Sequence, residues 1–166
     1  MGTLDPGQIA DRLQIRDLMT RYAMAVDRRD WDLYRSVFRS DAVIDYSDSG
    51  GPRTALEPTV AWLAEVLAVF AGLQHNMTNH VAEIDGDVAR ACTYYVAYHT
   101  LPDGAGAETV LVVGGFYQDR LARTPDGWRI TERVELGQWM EGPYPDDVAK
   151  PPWYGASGHH RPSLPG

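Results

Sequence analysis

The chain has 166 residues, and 15 Lys and Arg against 23 Asp and Glu give it a formal net charge of −8 at pH 7. This length suits one compact domain with its own core. The acidic balance disfavours nucleic acid as a partner and leaves no polybasic patch for a membrane surface. No apolar run approaches a membrane span, no signal pattern follows Met1, and the single cysteine, Cys92, fits a reducing compartment as a small buried hydrophobe, so we expect a cytoplasmic protein.

A long helix is predicted at the start of the chain. Asp5, Pro6 and Gln8 form a typical helix start, because aspartate accepts from free N–H groups, proline suits the first helical position and the glutamine completes a capping box. Apolar residues then recur at helical spacing and predict that the helix runs to about Val26. These residues are Ile15, Leu18, Met19, Tyr22 and Val26.

The helical pattern continues beyond this first helix. Asp30 is expected to cap a short second helix that ends near Phe38. A strand over residues 42–46, a loop over 47–54 and a third helix over 57–70 follow in order.

After Gly72 the apolar period changes from helical to two, which predicts four long strands. They cover residues 74–84, 88–101, 108–123 and 128–140. Short connections rich in Gly, Asp and Pro separate them and favour an antiparallel meander. Helices followed by strands indicate an α+β fold, with the helices on one face of a curved antiparallel sheet.

The chain is predicted to divide into a folded domain over residues 1–140 and a proline-rich tail over 141–166. The tail should be extended and pack over the body or over a neighbouring subunit. His159 and His160 could bind a metal there, although a solvated chain end is the commoner setting for such a pair.

Asp27 directly follows Val26 at the edge of the buried helical stripe. A carboxylate beside a core needs a cation or hydrogen-bond donors, which makes Asp27 a candidate for acid–base chemistry. The alternative is that it merely caps the helix end or the following turn.

Two histidines are predicted to share one face of the first long hairpin. If Asp85, Gly86 and Asp87 form a three-residue loop, His75 lies opposite Ala97 and diagonal to His99, whereas a two-residue loop separates the histidines. The shared face then carries His75, Met77, Asn79 and Val81 on one strand and Ala89, Ala91, Thr93, Tyr95, Ala97 and His99 on the next.

The small residues on this face favour a cavity, with Tyr95 and the histidines as its walls. Each histidine alone could be a satisfied core residue, but the pair together with Asp27 suggests a general acid–base dyad. His80 has the opposite parity and is expected on the other side of the sheet, in a structural or interface role.

No P-loop, dinucleotide turn, nucleophile elbow or tight metal-ligand cluster is present in the sequence. The pair Gly114-Gly115 within a strand indicates a bulge or a close approach of another group.

The sequence resembles the SnoaL-like, nuclear transport factor 2-like superfamily in the order of five segments, which are DRRDWDLYRSVF, VIDY, LQHNMTNH, ACTYYVAYHT and DGWRI. The resemblance covers roughly residues 8–140 and is most specific to the branch with scytalone dehydratase and the bile-acid 7α-dehydratases. It implies a cone of curved antiparallel sheet and three helices around a pocket.

The resemblance also implies site residues. The catalytic Asp of scytalone dehydratase falls on Asp27, its two catalytic histidines on His75 and His99, and a carbonyl-binding tyrosine on Tyr46, while the bile-acid dehydratases place a tyrosine at Tyr22. Other substrate-binding residues of scytalone dehydratase are not kept in this sequence. Its second carbonyl-orienting tyrosine falls on Val26, and its pocket Ser and Asn fall near Gly115 and Tyr117. The pocket contacts expected from pattern and resemblance together are Tyr95, Tyr117, Met77, Asn79 and Val26.

These features predict a cofactor-free lyase or isomerase that acts, without a metal, on a carbonyl-activated polyketide, steroid-like or aromatic small molecule. One histidine, oriented by Asp27, would remove a proton and later help hydroxide leave as water, while Tyr46 or Tyr22 donates to the enolate oxygen. The alternatives are a polyketide cyclase of the same fold and a non-catalytic small-molecule-binding module.

The outer face of the second long strand is expected to be too apolar to be left in water, since it carries Cys92, Tyr94, Val96 and Tyr98. We therefore predict a homo-oligomer, with a trimer favoured by the resemblance and a dimer next.

Overall fold

The computed structural model describes residues 5–102 and 108–154, so His159 and His160 lie outside the described residues. Helices α1 (Pro6–Arg28) and α2 (Trp31–Val37) come first in the chain. The strands β1 (Phe38–Asp45) and β2 (Arg53–Ala55) follow, and then helix α3 (Leu56–Val66). Four long strands follow: β3 (Gly72–Asp85), β4 (Val88–Pro102), β5 (Glu108–Thr124) and β6 (Gly127–Glu141). None of the helices in these ranges is long and apolar enough to cross a membrane.

The strands form one sheet in the order β2-β1-β6-β5-β4-β3. The meander from β3 to β6 is antiparallel, as predicted. The expectation of a wholly antiparallel sheet is wrong at one pair, because β1 lies parallel to β6. Since α2 leads directly into β1 at Phe38, this strand enters the sheet beside the last strand and in the same direction. The α+β cone with three helices is confirmed.

The start of α1 follows the predicted capping box. The Asp5 side chain accepts from the backbone N–H of Gln8 at 3.0 Å, and the Gln8 side chain accepts from the backbone N–H of Asp5. At the other end Arg29, with φ 53°, stops the helix, so Asp27 lies inside the last turn and does not cap it. The Arg29 guanidinium donates to the carbonyl oxygens of Leu67 and Phe70 and thereby ties this end of α1 to the segment after α3.

The turn between β3 and β4 differs from the prediction. Asp85 pairs with Val88, so the loop holds two residues and not three. A β-bulge between Met77 and His80 then shifts the register by one residue, and beyond it His75 lies opposite Ala97 as predicted. The bulge therefore keeps both histidines on one face, although the loop alone would have separated them.

Because of the same bulge, the predicted side-chain directions of Val81 and His80 are wrong. Val81 is 57% exposed, contrary to its expected place on the inner face. His80 was expected on the opposite face, but its Nδ1 lies 2.8 Å from the hydroxyl of Thr93, a buried inner residue of β4. Both errors arise because an inserted residue reverses the alternation between the bulge and the turn.

The chain after β6 packs over the body. The indole N–H of Trp153 donates to the backbone oxygen of Asp48 at 3.0 Å, and the ring is 8% exposed. A Cβ at Gly137 would lie 2.6 Å from this ring, so only glycine admits it here. A bulge between Gly114 and Gly115 is also present, as predicted.

The outer face of β4 alternates as predicted, with Tyr94 48% and Tyr98 43% exposed. Phe116 packs beside Tyr94 on this face, with 5.5 Å between the ring centroids. Assembly into a homo-oligomer through this apolar face stays a prediction.

A buried ion pair joins β5 to β6. The Nε and Nη2 atoms of Arg133 donate to the two carboxylate oxygens of Asp119 at 2.7 and 2.8 Å, and both side chains are fully buried. Such a geometry offsets the desolvation of both charges only while both partners are present.

Asp119→Ala should therefore lower the free energy of unfolding by about 3–5 kcal/mol, because it leaves the Arg133 cation buried without its anion. Urea unfolding followed by circular dichroism measures the loss. The matched control is Asp41→Ala, which removes the exposed ion pair with Arg39 and should leave the midpoint almost unchanged. Equal losses in the two variants would contradict this account.

Candidate active site

A cavity of about 130 Å³ lies between the inner face of the sheet and helices α1 and α3. Its apolar wall comes mainly from α1, α3, the segment after α3, and the inner residues of β4 to β6. The segment after β6 also contributes to the wall. An engineered cavity of about 150 Å³ holds benzene, so this space suits a single ring.

Asp27 and His75 form a carboxylate–imidazole pair between α1 and β3. The ring Nδ1 of His75 lies 2.7 Å from Asp27 Oδ1, and the backbone N–H of His75 donates to both carboxylate oxygens at 3.0 Å. The His75 side chain is 7% exposed and lines the cavity. With Nδ1–H donated to the carboxylate, Nε2 is the basic nitrogen on the other side of the ring.

His99 lies beside this pair but has a different environment. The two imidazole centroids are 5.8 Å apart, and Phe70 packs on His99 at 4.8 Å. Its Nδ1 is buried and has no hydrogen-bond partner among the described residues. Burial, followed by the nearby His75, lowers the pKa of His99 from 6.5 to about 4, so it is a neutral group at pH 7.

Four phenols, contributed by α1, α2, β5 and the residue after β1, form a hydrogen-bonded cluster beside the cavity. The Tyr22 hydroxyl lies 2.8 Å from that of Tyr46 and donates to that of Tyr117 at 3.3 Å, while Tyr34 lies 3.2 Å from Tyr46. Burial raises the pKa of all four, so they remain neutral hydroxyls at pH 7. Such hydroxyls can donate to a substrate oxygen.

Arg133 lies beneath this cluster. Its guanidinium carbon is 4.0 Å from the Tyr22 ring centroid and 4.3 Å from that of Tyr117. The positive charge lowers the pKa of Tyr22 and Tyr117 and so partly opposes the effect of burial. A cation behind a phenol ring makes its hydroxyl a better hydrogen-bond donor.

Most of the predicted site residues line this one cavity. Asp27 does not: it lies behind His75 on a shallow outer groove. Met77 lies on the same outer groove, and Asn79 is exposed at the bulge, so the structure does not bring these two predicted contacts to the cavity. Those that do line it are Tyr22, Val26, Tyr46, His75, Tyr95, His99 and Tyr117.

Several lining residues were missed from the sequence. Glu135 points into the cavity from β6, with its carboxylate accepting from the hydroxyls of Tyr95 and Ser49. Trp62 stacks on Tyr46 at 5.6 Å, and Trp153 reaches the cavity from the segment after β6. One signal in the sequence could have found Glu135. It lies two residues after Arg133 on β6, so the alternation of a strand places both charged side chains on one face.

Within the described ranges, no three His, Cys, Asp or Glu side chains come close enough together to hold a metal ion.

The chain belongs to the SnoaL-like domain family, which matches residues 7–134. A curated relative, an uncharacterized protein of Mycobacterium tuberculosis, is 36% identical over 132 residues, which are 80% of this chain and 88% of the relative.

Solved structures share the fold. A Novosphingobium aromaticivorans protein described as an aromatic ring hydroxylase is 30% identical, with a TM-score of 0.73 over 81% of this chain and 94% of that one. A protein of the same organism described as a scytalone dehydratase has a TM-score of 0.72 at 16% identity, over 89% and 96% of the two chains. A type 2 hexachlorocyclohexane dehydrochlorinase has a TM-score of 0.70 at 18% identity, over 87% and 96%. At these lower identities the last two show the fold alone.

The environment of His99 predicts a pH dependence of stability. Its pKa is about 4 in the fold and 6.5 as the ordinary value, so between these pH values the unfolded chain binds a proton that the folded chain does not. Stability should therefore fall as the pH is lowered, and the His99 contribution between pH 7 and pH 5 should be about 2 kcal/mol. Urea unfolding at both pH values should show this loss in the wild type and a smaller one in His99→Gln. An identical loss in both proteins would show that His99 titrates normally.

Proposed function

We propose that this protein is a cofactor-independent lyase of the dehydratase type, which acts in the cytoplasm on a carbonyl-activated, single-ring small molecule. The observation that carries the proposal is the His75 imidazole, fixed at Nδ1 by Asp27 and facing a largely apolar cavity with neutral phenol donors. Such a cavity favours proton removal from carbon next to a carbonyl group, because it offers both a base and donors for the enolate oxygen.

His75 is the base in this proposal, and His99 is not. A carboxylate is in general a weaker base than an imidazole, and the contact between Asp27 and Nδ1 of His75 leaves Nε2 to accept the proton. Desolvation lowers the pKa of the half-buried His99 to about 4, which makes it a weak base at pH 7. As a neutral imidazole that lines the cavity, it instead suits hydrogen bonding to a substrate hydroxyl.

The tyrosine cluster supplies the electrophilic side. Tyr22, Tyr46 and Tyr117 line the cavity with neutral hydroxyls, and the Arg133 charge lies behind two of them. A substrate carbonyl that accepts from this cluster gains negative charge as the proton leaves. The cluster then stabilises the enolate more strongly than the ketone, which is the requirement for catalysis.

Cavity size supports a smaller substrate class than the sequence suggested. A space of about 130 Å³ accommodates one ring, whereas a steroid-sized molecule requires several times that volume. The lyase class is in keeping with the names of two structures that share this fold, a scytalone dehydratase and a hexachlorocyclohexane dehydrochlorinase. Cyclisation and isomerisation share the same first step.

The proposal is tested with 3-hydroxycyclohexanone, a one-ring β-hydroxy ketone, in deuterated water. The protein should exchange hydrogen at the carbon between the carbonyl and the hydroxyl-bearing carbon, measured by NMR, and should form cyclohexenone, measured by its ultraviolet absorbance. Binding without exchange or elimination would favour the non-catalytic binding module. Loss of both reactions on treatment with a chelator would replace this mechanism with a metal-dependent one.

Asp27→Asn and His75→Ala should each lower turnover by about 10²–10⁴, the usual contribution of general acid–base catalysis. The amide keeps the size of Asp27 but removes its charge and the preferred tautomer of His75. Combining the two changes should add little, because the residues act as one unit. Asp17→Asn, which breaks an exposed ion pair with Arg21 on the same helix, is the control and should retain activity. Multiplicative losses in the double variant would mean that the two groups act independently.

A further inference from the structure

Glu135 is a titratable group that faces the cavity and has no role in the proton removal proposed for His75. Glu135 is 5% exposed and lines the cavity from β6. Its two carboxyl oxygens contact the hydroxyls of Tyr95 and Ser49. No Lys, Arg or His within the described ranges lies within ion-pair distance of it, in contrast to Asp119 on the neighbouring strand.

The strand pattern shows why Glu135 lacks a cation. Arg133 lies two residues earlier on β6 and shares its face, but Asp119 engages two nitrogens of that guanidinium. An unpaired carboxylate in a buried site is costly and tends to take up a proton. Burial raises the pKa of Glu135, and the nearby Asp48 raises it further, while Ser49, Tyr95 and His75 oppose part of this rise.

Glu135 also lies in a different part of the cavity from His75. Tyr95 neighbours both groups, because its ring centroid is 6.4 Å from that of His75 and its hydroxyl contacts Glu135. A base and an acid that line one cavity from β3 and β6 can act on neighbouring carbons of a bound ring at the same time. A single histidine would have to remove a carbon-bound proton and then deliver it to an oxygen elsewhere.

We propose that Glu135 is a second acid–base residue of this cavity, which donates its carboxyl proton to the leaving hydroxyl group of the substrate. The inference rests on the proposed function and deepens it. It names the substrate class as a one-ring ketone with a hydroxyl group on the β carbon.

The elimination balances with these two groups. His75 takes the proton from the α carbon, the electron pair of that C–H bond forms the C=C bond, and the bond from the β carbon to oxygen breaks. The oxygen keeps the bond electrons and takes the Glu135 proton, so it leaves as water. The imidazolium then loses its proton to solvent and the Glu135 carboxylate takes one up, which restores both groups.

The test compares two leaving groups. Chloride leaves as an anion and needs no proton, whereas a hydroxyl group needs a proton in order to leave as water. Glu135→Gln keeps the size of the side chain and its capacity to hydrogen-bond Tyr95 and Ser49. With 3-hydroxycyclohexanone this variant should lose about 10²–10⁴ in the rate of water elimination. With 3-chlorocyclohexanone its rate above the uncatalysed reaction should stay near that of the wild type. Hydrogen exchange of cyclohexanone, which needs only His75 and the tyrosines, should also persist.

A purely structural role for Glu135 would lower all three rates together and would overturn the inference. Unchanged water elimination would overturn it as well, while exchange by the wild type would leave the proposed function standing. A wild type inert towards all three ketones would overturn both. Glu141→Gln, at the exposed end of the same strand, is the matched control and should change none of the rates.

A second variant keeps the test decisive if Glu135→Gln does not fold. Glu135→Asp retains the acid but withdraws it by one methylene from the leaving oxygen. Its ratio of water to chloride elimination should fall below that of the wild type, and an unchanged ratio would overturn the inference.

Discussion

The hydrogen bonds between Asp27 and His75 join the helical layer to the sheet. One carboxylate accepts both the backbone N–H and the ring N–H of the same residue, so it fixes the strand and the imidazole together. A backbone N–H at the edge strand β3 would otherwise lack a strand partner on that side. The tautomer of His75 depends on this contact, which also helps to hold the C-terminal end of α1 against β3.

Periodicity predicted the elements well because both helices and strands bury one face. The caps at Asp5 and Asp30 and the four long strands follow from local chemistry, and the structure contains them. Register is different, since it depends on where an extra residue is inserted. The predicted loop at residues 85–87 was wrong, yet the His75 pairing was right, because the bulge after Met77 compensated for the shorter turn. Hydrophobic alternation alone does not locate such a bulge, which is why Val81 and His80 were placed on the wrong faces.

Part of the candidate site could be predicted from the hairpin register and from the family resemblance. Asp27, His75 and His99 were expected to lie together on these grounds, and the structure brings them together. Glu135 and Arg133 look like ordinary charged residues of an alternating strand, and their burial depends on how β6 inserts between β1 and β5. A proline-rich segment without regular structure brings Trp153 to the cavity. Its ring packs so closely on residue 137 that only glycine fits there. Such long-range contacts have no periodic signature in the sequence.

Charge in and around the cavity is arranged asymmetrically. The Arg133 cation is neutralised by Asp119 behind the phenols, burial keeps the tyrosines and His99 neutral, and the pKa of Glu135 is raised. Asp27, which retains access to water on the outer groove, contacts the cavity only through the His75 imidazole. A neutral substrate can therefore enter without a strong charge opposing it. The negative charge that develops on its oxygen then meets preorganised donors on one side, and the positive charge on His75 meets the carboxylate on the other.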